Sequence, residues 1–317
     1  MVRYIGIAKE SVFGSPEGNS VRYDAGLVDV KPDQNWIIPE PVLNRAIREK
    51  SLGIYRARGT IGENFAEPEG ILGDLLLGVF GSESVTVPVT GVKRHLFYGT
   101  ETLPSYTLRL GVEQTARVIA GMLVESLTLK WRYNDAVKYT AEVLSGVVET
   151  KEATVGTPPI SALKSFVPTE GTNVCTIATA DKKSLVYEAE VTIKNNIPFD
   201  RGSLASRGFT TKRYGKREVT GKLSMYFDNT TEYDRFIAGT EFNLNLKIQT
   251  GELVVDPQPY YLELDVRKCV YLKDVAPAIK AQNEPLVVDA PFKAFYDTTD
   301  GFNSECKVTL QNSIAAY

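Results

Sequence analysis

Alternation of apolar and polar residues is the dominant pattern along the chain, and it predicts extended strands whose two faces differ. From Phe242 to Gln249 every second residue is apolar, and the same period appears from Tyr106 to Glu113 and from Tyr260 to Lys268. We expect each segment to be a half-buried strand, with one face on a core and the other wet. The same criterion predicts further strands at Val124 to Trp131, Val137 to Val147, Val186 to Lys194 and Arg217 to Phe227.

Helical periodicity is confined to two segments, and each follows a predicted strand. In the first segment Pro68 suits a first helical turn, an apolar stripe runs from Ile71 to Val79, and Gly81 can end the helix. The chain is therefore predicted to be mostly β, with two sandwich or barrel-type β domains that each carry one flanking helix.

The second helical segment is shorter and more polar. Residues Asp228 to Thr231 offer capping side chains, and Gly239 can end the helix. Its predicted apolar stripe consists of Tyr233, Phe236 and Ile237.

The two strand-and-helix segments match at a fixed offset. The offset pairs Gly59 with Gly221, Phe65 with Phe227, and Leu75 with Ile237. This self-similarity predicts an internal duplication, with a first domain at 1–150, a connecting segment at 151–184 and a second domain at 185–317. The alternative is that two β-rich halves align by chance.

Composition narrows the function classes. The chain has 317 residues, 43% of them hydrophobic, and 36 basic against 39 acidic side chains give a formal net charge of −3. This balance disfavours static binding to nucleic acid, which requires clustered basic charge. No apolar run is long enough for a signal peptide or a membrane span, so we expect a protein that is made in the cytoplasm and is soluble.

Catalytic and metal-binding chemistry has few candidates. The chain has one histidine, His95, so no multi-histidine metal site can form, and we expect a hydrogen-bonded structural role for it. No phosphate-binding glycine motif is present, and no cofactor is predicted. Cys175, Cys269 and Cys306 are widely spaced and are expected to be buried thiols. A pair of catalytic carboxylates, as in a glycosidase, stays open as an alternative.

Four segments carry a resemblance to a known family. They are YIGIAKESVFGSPEG at the start, GTIGENFAEPEGILGDLLLGVFG, HLFYGTETLPSYTLRLG, and the strand pair ESLTLKWRYNDAVKYTAEVLSG. In order and spacing they resemble the tail tube proteins of long-tailed, non-contractile (siphovirus-like) bacterial or archaeal viruses.

The resemblance implies a structural virion protein and not an enzyme. Neighbouring subunits would join their sheets into one β-barrel, duplicated members would form trimeric rings that imitate hexamers, and the rings would stack into the channel for viral DNA. The implied partners are further copies of the chain, DNA that passes without specific binding, and the tape measure, tail terminator and distal tail proteins. The implied location is the virion tail, after assembly in the host cytoplasm.

Two groups of residues are candidates for these contacts. DNA must slide without sticking, so the lumen should be polar without a continuous basic track. The candidate lumen-facing residues are Glu188, Glu190, Thr192, Ser126, Thr128, Lys130, Thr140 and Glu142, and the residues expected to face the domain cores instead are Leu127, Leu129, Val191 and Ile193. The candidate inter-ring contacts are Trp36, Ile37, Ile38, Phe199 and Phe209, in two long connections at Gln34 to Ser51 and Phe199 to Tyr214.

One alternative function comes from another class. A β-rich adhesion or carbohydrate-binding module would show the same alternation of apolar and polar residues, but it would need no duplication and would remain monomeric. Electron microscopy of the purified protein separates the alternatives, because among them only a tail tube subunit is expected to form rings or tubes with a central hole.

Overall fold

The computed structural model describes residues 3–18, 20, 22–37, 50–154, 158–159, 163–198, 207–208, 212, 214–273, 275 and 286–317. The first half of the described chain contains β1 Arg3–Lys9, β2 Arg22–Asp24, β3 Val28–Ile37, β4 Ser51–Phe65, α1 Leu72–Phe80, β5 Gly81–Thr86, β6 Lys93–Gly99, β7 Tyr106–Val112, β8 Thr115–Arg132, β9 Lys138–Ser145 and β10 Thr150–Ala153. The second half contains β11 Val174–Ile177, β12 Ala180–Asp181, β13 Val186–Lys194, β14 Glu218–Tyr226, α2 Thr231–Ala238, β15 Phe242–Val255, β16 Gln258–Tyr271, β17 Val287–Lys293, a 3₁₀ turn Thr299–Gly301 and β18 Cys306–Asn312. The prediction of a mostly β chain with two helices is confirmed.

A central antiparallel sheet runs through both halves in the order β3–β4–β9–β8–β13–β14–β17–β16. One outer sheet, in the order β2–β1–β7–β8–β10, belongs to the first half. The other has the order β12–β11–β15–β16–β18–β6–β5, so the β5–β6 hairpin of the first half extends a sheet of the second. The long strands β8 and β16 each run from an outer sheet into the central one. The layers form a sandwich and not a closed barrel.

The two halves use their strands in the same order. In the central sheet β3, β4, β9 and β8 correspond to β13, β14, β17 and β16, and in the outer sheets β1, β7, β8 and β10 correspond to β11, β15, β16 and β18. The β5–β6 hairpin has no counterpart among the described residues of the second half, where the three residues 239–241 lead from α2 into β15.

Two glycines mark the same position in this shared arrangement. Gly59 lies opposite Val30 on β3, and Gly221 lies opposite Val191 on β13. A Cβ at Gly59 would be 1.9 Å from the carbonyl oxygen of Asp29, and one at Gly221 would be 2.6 Å from that of Glu190. Both sites therefore require glycine because the neighbouring strand approaches closely, and at Gly221 the Phe292 ring, 2.4 Å from such a Cβ, adds a second obstacle.

Burial follows the predicted alternation in β15, where Phe242, Leu244, Leu246 and Ile248 are buried between more exposed neighbours. The predicted C-terminal ends of both helices are confirmed, because Gly81 and Gly239 adopt left-handed conformations there. The predicted start of the first helix is wrong, because Pro68 lies in a turn and α1 begins at Leu72.

The expectation of one wet face is wrong for β7. Six of its seven residues are buried, because β7 lies between β1 and β8 and is covered on both faces. Arg109, predicted to face water, is 3% exposed, and its guanidinium donates to Glu152 Oε1 and to the carbonyl oxygen of Glu17. Tyr261 on β16 was likewise predicted on the wet face and is 5% exposed.

Two further expectations are corrected in α2 and in β3. Ile237 is 65% exposed, whereas Glu232 is the buried residue of α2, so the predicted apolar stripe is wrong at its end. The first of the two long connections is shorter than predicted, because β3 continues through Trp36 and Ile37 and β4 begins at Ser51. Ile38, Phe199 and Phe209 lie outside the described residues.

Candidate functional site

The eight candidate polar residues lie on one face of three adjacent strands of the central sheet. Strand β8 contributes Ser126, Thr128 and Lys130, strand β9 contributes Thr140 and Glu142, and strand β13 contributes Glu188, Glu190 and Thr192. The register brings Thr128 opposite Thr140 on one side and opposite Thr192 on the other. Because side chains alternate across a strand, this register brings the eight side chains together.

Direct contacts join these residues across the strands. The hydroxyl oxygens of Thr128 and Thr192 are 2.8 Å apart. Lys130 Nζ is 2.9 Å from Glu188 Oε1 and 3.8 Å from Glu190 Oε2. The hydrogen bond to Glu188 raises the pKa of Lys130, so this amine is protonated at neutral pH. Acids and bases on this face therefore neutralise one another in place.

The opposite face of the same strands is apolar and closed. Leu127, Leu129, Val191 and Ile193 are all fully buried, which confirms the expectation that they face the cores. Their burial fixes the orientation of the polar side chains, because a slip of one residue would exchange the two faces.

The polar face continues on β14 and β17, where the sequence interpretation named no candidates. Lys222 Nζ is 3.0 Å from Asp289 Oδ2, and Lys293 Nζ is 3.0 Å from Glu218 Oε1. The alternation from Arg217 to Phe227 had already predicted β14, and its polar phase was the signal that would have identified Glu218 and Lys222.

On the first-half side the face continues onto β4. Arg58 Nη2 lies 3.3 Å from Glu125 Oε2 and 3.9 Å from Glu142 Oε2. Across the described part of the face, each basic side chain named here has an acid nearby, so the face does not present an uninterrupted basic track.

The central sheet has open edges in the described part of the chain. Strand β3 pairs with β4 and with no other described strand. At the other end of the sheet, only Phe292 and Lys293 of β17 pair with β16, so the rest of that side of β17 has no described partner strand. Pro32 lies on β3, which is typical of an edge strand because proline cannot donate to a ladder.

The ionisable residues that could support catalysis are held in structural contacts. His95 is fully buried, with Nε2 3.0 Å from Asn312 Oδ1 and from the carbonyl oxygen of Ile314, and its Nδ1 contacts Glu83. The three cysteines are free and buried, and burial raises the pKa of Cys175 to about 12. Within the described ranges no cluster of three or more His, Cys, Asp or Glu residues is placed to hold a metal ion. No helix in those ranges is long and apolar enough to span a membrane.

A family model described as phage tail tube protein matches residues 2–294, which is most of the chain. No curated protein matches the chain.

Proposed function

The chain belongs to the phage tail tube protein family, a structural component of the virion tail, and we propose that it assembles into stacked rings that form the channel for viral DNA. The observation that carries this proposal is the central sheet, which has one polar face, one buried face and open edges. An open edge invites pairing with another chain, and closure of a ring removes it.

The proposal includes the internal duplication. The shared strand order and the matched positions of Gly59 and Gly221 support two copies of one domain. Their junction, where β8 pairs with β13 over seven residue pairs from Glu188 to Lys194, then serves as the pattern for the contact between chains. In a ring, the contact between chains would repeat this pairing. Strand β3 of one copy would take the part of β13, and it would pair with the next copy along the open side of β17 and β16.

Three copies give a ring of reasonable size. Three eight-stranded sheets provide 24 strands, and at about 4.8 Å between strands a closed sheet of this kind measures roughly 37 Å across before strand tilt widens it. Side chains narrow the bore, and the remaining width admits duplex DNA. A trimer that imitates a hexamer is therefore the proposed ring.

The polar face of the central sheet is the proposed wall of the channel. Glu142, Glu188 and Glu190 offer phosphates no positive partner, and Lys130 is already paired with Glu188 and Glu190. Each phosphate that a free base neutralised would release counterions and add affinity, which would slow the passage of DNA. The side chains facing away, such as Leu127 and Val191, remain in the domain cores.

The described ends of β3 and β4, on either side of residues 38–49, are the proposed contact between rings. Trp36 and Ile37 are 52% and 57% exposed there, and Leu52, opposite Trp36, is 44% exposed. Exposed apolar groups gathered at one end of a hairpin are typical of an interaction surface. The candidates Ile38, Phe199 and Phe209 remain proposals from the sequence alone.

Electron microscopy of the purified chain tests the proposal. We expect rings or tubes with a central hole and threefold symmetry in averaged end views. A monodisperse monomer at high protein concentration would contradict the proposal and would favour a monomeric β-rich binding module.

The channel wall is tested separately by charge reversal. In virions that carry Glu142→Lys, Glu188→Lys and Glu190→Lys together, we expect slower DNA ejection that recovers as salt rises, because the new amines bind phosphate. The matched control reverses Glu101, Glu241 and Asp256, three exposed acids outside the central sheet, with the same change in net charge. Equal ejection by the two variants, with intact tails, would remove these glutamates from the channel wall.

A further inference from the structure

The open edge of β3 is occupied at one point by a side chain from the outer sheet. The backbone N–H of Gly62 on β4 donates to the carbonyl oxygen of Leu27 over 3.1 Å. Backbone groups of an antiparallel strand point alternately to its two sides, so Val28 and Val30 direct theirs away from β4. The outward carbonyl oxygen of Val30 accepts a hydrogen bond of 2.9 Å from Arg117 Nη1, and Arg117 lies on β8.

A carboxylate holds this arginine in place. Arg117 Nη2 lies 2.6 Å from Glu149 Oε2, and Arg117 Nε lies 3.1 Å from the same oxygen. The backbone N–H of Glu149 donates in turn to the hydroxyl of Tyr55 on β4 over 3.3 Å. One side of the guanidinium is therefore anchored on Glu149, while the other side reaches the edge of β3.

The matched position in the second half is apolar. The β7–β8 and β15–β16 hairpins share one register and one bulge, through the pairs Tyr106 with Met122 and Leu108 with Ile119 in the first, and Phe242 with Cys269 and Leu244 with Val266 in the second. In this register Leu110 pairs with Arg117, and Leu246 pairs with Leu264. Leu264 is fully buried. The arginine therefore belongs to the half whose strand β3 has an open edge.

The strand that corresponds to β3 is paired at the same point. Val30 on β3 and Val191 on β13 lie opposite the two matched glycines. Val191 pairs with Leu129 on β8. The backbone N–H of Asn195, four residues further on, donates to the carbonyl oxygen of Glu125, so Val191 also directs its backbone groups toward β8. A strand that paired with β3 in this way would need the carbonyl oxygen of Val30 that Arg117 now binds.

Two further features of the same edge make pairing less favourable. Pro32 is the next outward residue after Val30, and it has no N–H to donate. Lys31 Nζ lies 2.9 Å from Asp29 Oδ2, and both side chains are exposed. Proline and charged side chains are common means by which edge strands avoid pairing with the wrong chain. The contact of Arg117 with Val30 fits the same purpose.

We propose that Arg117 blocks the open edge of β3 in the free chain and leaves the carbonyl oxygen of Val30 when a strand of the next copy pairs with β3. The inference rests on the proposed ring, in which this edge is the contact between copies. In the free chain the block slows premature pairing between edges. On ring closure a backbone N–H of the next copy replaces the N–H of Arg117, and Glu149 keeps the guanidinium paired.

Assembly of purified chains tests the block. Arg117→Leu introduces the side chain type of the matched position, and Glu149→Gln is combined with it so that no carboxylate loses its partner. We expect this double variant to form rings or tubes at about tenfold lower protein concentration than the unmodified chain, because no hydrogen bond from a charged donor has to break. Light scattering and electron microscopy provide the measurement. The matched control, Lys151→Leu with Glu101→Gln, makes the same charge changes at exposed sites and should assemble like the unmodified chain.

The outcomes separate this inference from the proposed function. Thermal unfolding of dispersed chains establishes which variants are folded. Assembly of the folded double variant at the same or a higher concentration than the control would overturn the inference. If the double variant does not fold, Glu149→Gln alone decides, because it weakens the anchor of Arg117 and should lower the concentration by a smaller factor; no change would overturn the inference. Failure of the unmodified chain to form rings or tubes would overturn the proposed function itself.

Discussion

The two helices follow corresponding strands, yet their surroundings differ. All nine residues of α1 are buried, whereas Glu232 is the one buried residue in α2. Tyr317 covers α1 so closely that a Cβ at Gly73 would be 2.1 Å from its ring, and the β5–β6 hairpin packs beside the helix. At the corresponding place in the second half, residues 239–241 connect α2 directly to β15. One framework therefore supports both a helix that belongs to the core and a helix that remains at the surface.

The ion pairs on the two helices show the same difference. Asp74 on α1 is 2% exposed and is bound by both nitrogens of the Arg22 fork, with Arg22 Nη2 2.9 Å from Asp74 Oδ1. Burial raises the pKa of Asp74, and the charge of Arg22 opposes that shift. Glu232 on α2 accepts a hydrogen bond of 2.9 Å from the hydroxyl of Tyr271, and Arg235 and Lys182 lie beside it.

Removal of Asp74 should give the largest effect. We expect Asp74→Ala to lower the free energy of unfolding by about 3–5 kcal/mol, because it leaves the Arg22 guanidinium buried without its partner. Glu232→Ala should cost less, about 1–3 kcal/mol, because it removes the acceptor of the Tyr271 hydroxyl and an ion pair from a helix that otherwise lies at the surface. Urea unfolding of both variants measures the difference, and an equal or larger loss for Glu232→Ala would contradict the comparison.

Truncation of a helix side chain should follow the same order. Leu75 on α1 and Ile237 on α2 are matched by the sequence offset but are fully buried and 65% exposed, respectively. We expect Leu75→Ala to cost about 2–5 kcal/mol through the cavity it leaves, and Ile237→Ala to change stability by less than about 0.5 kcal/mol. Thermal unfolding of dispersed subunits tests the pair. A large loss for Ile237→Ala there would mean that α2 packs more closely than its exposure indicates.

The turns before the helices should respond differently to pH. Burial, together with the charge of Asp24, raises the pKa of Glu67 from its ordinary value of 4.5 to about 7, and the matched residue before α2 is the uncharged Asn229. The folded chain keeps this proton to a higher pH than the unfolded chain, so stability falls as pH rises from about 4.5 to about 7.

The variant Glu67→Gln should remove this pH dependence. Its stability relative to the unmodified chain should increase across that pH range and level off above it, at about 1–2 kcal/mol after allowance for partial exposure. Urea unfolding at several pH values provides the measurement, and Glu101→Gln, at an exposed site, is the control. A constant difference between Glu67→Gln and the unmodified chain would contradict the assignment.

The smallest effect is expected at the start of α2. Neither N-cap residue, Ile71 or Thr230, caps its helix with its own side chain, but Asn229 Oδ1, just before α2, accepts a hydrogen bond of 3.0 Å from the backbone N–H of Thr231. We expect Asn229→Ala to cost about 0.5–1 kcal/mol and Asn229→Asp, which keeps the acceptor, to cost little. Equal losses in thermal unfolding would show that the acceptor oxygen does not contribute.

The sequence by itself determined the features that depend on neighbouring residues. Alternation predicted β15 and β13 with the correct residues inside, and Gly81 and Gly239 predicted the ends of both helices, because these signals act within a few residues. The polar phases of β8, β9 and β13 identified eight residues that share one face. The order of four segments also resembled the family to which the chain belongs.

Only the tertiary structure decided which strands are buried on both faces. Arg109 is in the interior because Glu17 and Glu152 lie against its face of β7, and the polar character of the residue gave no sign of that position. The burial of α1 depends on the β5–β6 hairpin, and β6 is held by the pairing of Phe97 with Val308, far apart in the chain. A cleft beside Trp131 likewise exists because segments from both halves meet there. Contacts of this kind form between segments that are far apart in the chain, and the local pattern of apolar and polar residues does not indicate which segments will pack together.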